Sequence, residues 1–308
     1  MRSGLATASL FALALAAPSL SWAQETPESR VEDIVVLGTS LREQVETFSE
    51  TVVAPPRGHG PARWSDRPGV CVGVVNLQRD AAQDMADRVS EVALGLGLPI
   101  GEPGCSANVV IIASNEASAL TAALVEQNPG AFRPNYWGAS RSRDHLGRFI
   151  ASDAPVRWWH ISMPVDSETG DIAVRLPGYL PPTVRTLGSR ITTPIRNDLR
   201  RVYVIIDLNQ LGGVTFPQLV DYVAMVALVQ ADPDADLSAF PTILNVFDNP
   251  NIAFGLTDWD QDYLGALYGS KMDQRRPSAQ IGAVASQMFR DRRQAEAEAD
   301  ALVDTPVE

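Results

Sequence analysis

Histidine is scarce in this 308-residue chain, so acid–base chemistry would have to run through His59, His145 or His160. His160 has the most useful neighbours. It follows Arg157-Trp158-Trp159 in a run, Arg157 to Met163, whose β-branched and aromatic content predicts a strand. Two indoles and a guanidinium beside an imidazole suit a cleft that holds a ligand or a partner segment. Arg157, Trp158, Trp159 and His160 are therefore the expected binding residues. As a general base His160 would need a carboxylate brought to it by the fold, with Asp207 and Asp221 as the candidates. Ser162 lies two residues on and shares its strand face. The bland alternative is a half-buried imidazole bonded to a carbonyl. His59 sits in a Pro/Gly-rich stretch and reads as exposed, and His145 follows Arg143-Asp144 in what reads as a polar loop.

Other chemistry finds little footing. There is no G-x-S-x-G elbow, no phosphate-binding P-loop and no dinucleotide glycine fingerprint. Asp232-Pro233-Asp234-Ala235-Asp236 opens like a calcium loop. However, Leu237 stands where the turn glycine belongs and Ile243 where the bidentate glutamate belongs, so a solvated loop is expected. Asp258 and Asp260 suit a helix N-terminus, where carboxylates meet the positive end of the macrodipole. No metal site or cofactor is expected.

The two cysteines, Cys71 and Cys105, have no C-x-x-C or histidine spacing for metal and read as a disulfide, given the export signal described next. Arg2, an apolar run from Leu5 to Leu15, Pro18 and the small residues of Ser21-Trp22-Ala23 form a secretion signal, cleaved before Gln24. No later stretch reaches the ~18 apolar residues of a membrane helix. A soluble periplasmic protein is expected, without a transmembrane helix in its mature form. The net charge of −12 argues against nucleic acid as a partner, because phosphate-backbone binding needs a basic surface.

The elements that must position these residues follow from periodicity. Residues 1–23 are the signal, and 24–66, with Pro55, Pro56, Gly58, Gly60 and Pro61, read as a partly disordered leader. The body, 67–293, opens β-α-β-α: strand Val70 to Leu77, a helix capped by Asp80, strand Asn108 to Ala113, and a helix capped by Asn115. Ile172 to Leu176 is the expected hairpin partner of the Trp158 strand across the Asp166–Gly170 turn. Arg201 to Leu208 is a central strand. Thr215 and Gln218 have capping-box spacing before a helix apolar nearly all round, hence buried. Thr257 caps another helix, Ser278 to Ala301 is the last, and 294–308 is a fraying tail. The fold class is α+β, one domain with a mixed sheet.

The order from Val202 to Pro277, with Leu256-Thr257-Asp258-Trp259-Asp260 and Leu264-Gly265-Ala266-Leu267-Tyr268, resembles the C-terminal half of uncharacterised secreted zincin-like metalloproteases of Gram-negative bacteria. That resemblance implies a strand followed by an active-site helix bearing H-E-x-x-H. Here the motif falls on Val220-Asp221-Tyr222-Val223-Ala224, where both metal ligands are replaced by aliphatic residues. The likeness thus implies a catalytically silent relative. Val31 to Gly38 is similar to the energy-coupling segment of TonB-dependent receptors, although no series of barrel strands follows. The expected function is a non-catalytic envelope protein that binds a partner protein or small ligand. The alternatives are a hydrolase using His160 with an aspartate, and a structural module coupled to TonB-type transport through Ile34 to Gly38.

Overall fold

A computed structural model describes residues 39–132, 141–175 and 189–303, with side chains to residue 298. The signal and the Ile34–Gly38 segment lie outside the described residues. Four strands, β1 (Val72–Val75), β2 (Val109–Ser114), β3 (Val156–Asp166) and β4 (Ile195–Asp207), form one sheet in the order β1-β2-β4-β3. β1, β2 and β4 run parallel, and β3 pairs antiparallel with β4. The sheet is mixed and the fold α+β, as the interleaving of strands and helices predicts.

The helices, in chain order, are α1 (Leu41–Thr51), α2 (Arg79–Gly95), α3 (Ala117–Gln127), α4 (Pro129–Phe132), α5 (Arg143–Ala151), α6 (Phe216–Leu228), α7 (Asp258–Gly269) and α8 (Pro277–Val303). One core joins α1, α2, α6, α7 and α8 to one face of the sheet, with Phe48, Met85, Val204, Val223 and Tyr263 inside it. A smaller core on the other face gathers Val125, Phe132, Phe149, Trp159 and Ile205 beneath α3 and α5. The β3 side chains alternate between these two cores.

Local chemistry explains the ends of the helices. α6 begins with a complete capping box between Thr215 and Gln218, and all but the first few residues of this helix are buried. α7 has the same device between Thr257 and Asp260. The two caps expected on α2 and α3 are not made. Gln78 precedes α2 and Glu116 precedes α3, neither with a side-chain bond, because each helix starts one or two residues from the expected cap.

Cys71 and Cys105 are disulfide-bonded with Cα atoms 6.2 Å apart, one just before β1 and the other in the loop before β2. The Asn108 side chain reinforces this corner, accepting from Cys71 N at 2.8 Å and donating to the Gly69 carbonyl at 2.9 Å.

Several boundaries differ from expectation. The leader gives way to the folded body at residue 41, not 67. Val45, Phe48 and Val52, at helical spacing, are wholly buried. The chain then runs along the end of α6. Val53 bridges Ala231, Ala54 N donates to the Gln230 carbonyl, and Trp64 Nε1 donates to the Ala227 carbonyl at 2.8 Å. Pro and Gly break regular structure there without loosening the chain, since the partners come from residues 227–232. β4, with thirteen residues, takes the place beside β3 expected for residues 172–176, and a lone bridge from Val165 to Ile172 remains of that hairpin; Leu176 lies outside the described residues. α8 continues to Val303, past the expected domain end at 293.

Candidate functional site

β3 is an edge strand, and the direction of its peptide groups follows from its register. Asp207 N donates to the Pro155 carbonyl, so the pair Pro155/Asp207 is hydrogen-bonded, and alternate pairs thereafter are too. Arg157 and Trp159 therefore point their peptide groups at β4. Val156, Trp158 and His160 turn theirs away from it, along the free edge. A cavity of about 140 Å³ lies against this edge, between α5 on one side and residues 230–234 on the other.

All four expected binding residues line that cavity. Their side chains do not share a wall. Trp158 faces α6, its Nε1 donating to the Ala231 carbonyl at 3.0 Å and its ring edge-on to Tyr222. His160 lies on the same face, its Nε2 2.7 Å from the Val226 carbonyl. Trp159 points the other way, donating to the Phe132 carbonyl at 3.0 Å and packing on Phe149. Arg157 shares that second face and donates to Ser118 Oγ and the Ala154 carbonyl, with Asp207 3.7 Å away.

These surroundings decide protonation. Burial pushes the His160 pKa down to about 4, outweighing its bond to Val226. At neutral pH the ring is uncharged, so Nε2 carries the proton it donates to the carbonyl. Neither Asp207 nor Asp221 hydrogen-bonds to it. Asp207 accepts from Asn209 N and Gln210 Nε2, and Asp221 is held by Arg88 Nε at 2.6 Å and Leu256 N at 2.7 Å. The bland description of His160, an imidazole bonded to a carbonyl, is the one its geometry matches. Ser162 Oγ is buried without a hydrogen-bond partner among the described residues.

The rest of the lining lies outside the four expected binding residues. His145 sits on α5 rather than in a loop, its Nδ1 2.6 Å from Ser142 Oγ. His145 and Arg148, three residues apart on α5, share one helix face beside the cavity, and Arg141 joins them from just before the helix. Burial lowers the His145 pKa, and Arg141 and Arg148 lower it further against the opposing pull of Asp234 and Asp232. The acidic loop is not merely solvated: Asp232 pairs with Arg141 at 3.0 Å and Asp234 with Arg148 at 3.0 Å. The basic run from Arg141 to Arg148 and the alternate carboxylates of the loop were the available signals, and they become meaningful once the two segments face each other. His59 is likewise half-buried rather than exposed, its Nδ1 3.1 Å from Asn197 Oδ1.

Arg141, Arg148 and Arg157 line the cavity, each with an aspartate beside it: Asp232 is 3.0 Å from Arg141, Asp234 3.0 Å from Arg148 and Asp207 3.7 Å from Arg157. Arg157 is 2% exposed, and its Nε–H has no hydrogen-bond partner among the described residues. Burial lowers the pKa of this guanidinium while Asp207 and Asp153 raise it. An arginine in such a place stays charged.

The α6 positions where H-E-x-x-H would fall behave as core. Val220, Val223 and Ala224 are buried, and Asp221 is tied to α2 through Arg88. Among the described residues, no group of three or more His, Cys, Asp or Glu side chains is placed to hold a metal ion. No helix among them is long and apolar enough to cross a membrane. Compared with family profiles, curated proteins and solved structures, the chain finds no match.

Proposed function

We propose that this chain is a non-catalytic binding protein of the cell envelope that holds a small ligand at the free edge of β3. The observation that carries the reading is the cavity itself, where Arg157, Trp158, Trp159 and His160 come together with two further guanidiniums, Arg141 and Arg148, and with Asp234 on its lining. Pockets of this kind, largely apolar with a few convergent polar groups, are where small molecules bind. His160, neutral and committed to a backbone carbonyl, has no acid hydrogen-bonded to it among the described residues, which speaks against hydrolysis through this ring.

Two further parts of the reading rest on sequence. The N-terminal Arg2, Leu5–Leu15 and Ser21-Trp22-Ala23 pattern favours export to the periplasm, an oxidising compartment that suits a Cys71–Cys105 disulfide. The resemblance of residues 202–277 to zincin-like proteases, with aliphatic side chains at 220 and 224, favours a scaffold that has lost its metal.

Ala154 lines the cavity and is half-buried, so Ala154→Phe should fill it without disturbing either core. A small-molecule fragment screen by ligand-observed NMR is expected to return binders of the native chain that the variant no longer takes. Fragments that bind both proteins equally would place recognition elsewhere and overturn the proposal. Stoichiometric zinc in the purified protein would overturn the silent-scaffold part.

A further inference from the structure

We infer that the cavity takes a small aromatic monocarboxylate, its ring in the apolar interior and its carboxylate at Arg141 and Arg148. The inference rests on the proposal that this cavity is the binding site and names the class of ligand.

Size comes first. A cavity of about 140 Å³ is close to the ~150 Å³ apolar cavity known to accept benzene. It has room for one six-membered ring and little more. The walls suit a ring, since Phe149, Trp158, Trp159 and Tyr222 all contribute to the lining, and aromatic faces and edges pack favourably against one another.

Charge comes second. In a chain of net charge −12, the lining gathers three guanidiniums, two of them backed by Asp232 and Asp207 and the third paired with Asp234 at the opening to water. His160 adds no positive charge at neutral pH. An anion entering here can compete with the half-exposed Asp234 for Arg141 and Arg148, which a neutral or cationic ligand cannot do. Arginine forks fit carboxylates with paired hydrogen bonds.

Exchange is feasible because the internal partner is loosely held. Asp234 bridges the two arginines, 3.8 Å from Arg141 and 3.0 Å from Arg148, with half of its side chain in water. Pairs this exposed contribute little. A ligand carboxylate replacing Asp234 therefore gives up almost nothing in charge pairing and adds the burial of its ring. The Arg157 Nε–H, buried in the same lining without a partner, leaves one further donor for an acceptor.

The test compares phenylacetate, neutral phenylacetamide and cationic phenethylamine by isothermal titration calorimetry with the full chain. Phenylacetate is expected to bind at least tenfold more tightly than either, with a preference that shrinks as salt is raised. Arg141→Gln combined with Arg148→Gln should abolish the preference for the anion while leaving the thermal unfolding midpoint within a few degrees of native. Equal affinity for the three probes, or tightest binding of the amine, overturns the carboxylate assignment. Binding of none of them also overturns it, and the fragment screen then separates the cases. Fragments still displaced by Ala154→Phe leave the cavity standing as a site for another ligand class, whereas none displaced removes the site as well.

Discussion

The two edges of the sheet are closed by opposite means. β1 is four residues long, and its corner is fastened covalently by Cys71–Cys105 and by the Asn108 side chain. Short edges of this kind offer little backbone to any outside strand. β3 is eleven residues long and wholly buried, and its edge is covered by side chains of residues 141–149 and the 230–234 segment, joined through Arg–Asp pairs. A covalent corner is fixed, while an ionic cover can exchange partners. The cavity lies at the ionic edge, which is why the proposed ligand is placed there.

Breaking the covalent edge should produce the largest loss. Replacing both Cys71 and Cys105 with alanine frees a loop spanning 34 residues, which the chain-entropy treatment values at about 4 kcal/mol. Urea unfolding should show that loss, with ligand binding at β3 unchanged once the variant is folded. A variant that keeps its stability but loses ligand would mean that the two edges are coupled.

Acid should act on the β3 side. Between pH 4 and 6.5 the unfolded chain protonates His160 and the folded chain does not, because burial holds the ring's pKa at about 4. The unfolded state then binds more protons, so stability falls as pH drops through that window. The contribution lost is about 3 kcal/mol. His160→Gln keeps a donor for the Val226 carbonyl and cannot titrate. Its stability should fall less steeply over the window than that of the native chain, and parallel curves would show that His160 does not stay neutral in the fold.

How much of this was readable beforehand differs between the two edges as well. The disulfide needed only two cysteines and the expectation of an oxidising compartment. α6 announced itself through Thr215/Gln218 and α7 through Thr257, because capping is a local interaction between residues three apart, and Asp260, read as a macrodipole partner, completes the second box. The strand order was not legible. β4 slots between β2 and β3, and the choice of Ile195–Asp207 over residues 172–176 as the neighbour of β3 rests on packing against distant helices. The cavity was half legible: its β3 wall was found through Trp158 and His160, and the wall from residues 141–148 was missed because Arg141, His145 and Arg148 look polar and ordinary until residues 232–234 face them. The helix at 41–51 was missed for a similar reason, since the Pro/Gly stretch after it draws its order from residues 227–232.

Within the ionic cover, depth should grade the effects. The Arg141 side chain is 17% exposed and reaches both Asp232 and Asp234. Partly buried guanidinium–carboxylate bonds exceed the surface average, so Arg141→Gln should cost about 1 kcal/mol in urea unfolding. No change at all would mean that Asp232 is held equally well by the loop's own backbone.

Arg148 should mark the lower limit. Its side chain is 56% exposed and its partner Asp234 is 50% exposed, so water screens the pair and holding two long side chains together costs entropy. Arg148→Gln is expected to change stability by less than ~0.5 kcal/mol, within the scatter for exposed pairs. If the cover exists to be exchanged, the same substitution should instead flatten the salt dependence of anion binding, since one guanidinium facing the cavity is gone. A variant that lost stability and kept the native salt dependence would reverse this assignment, making the Arg148–Asp234 pair a structural clasp like the disulfide at the opposite edge.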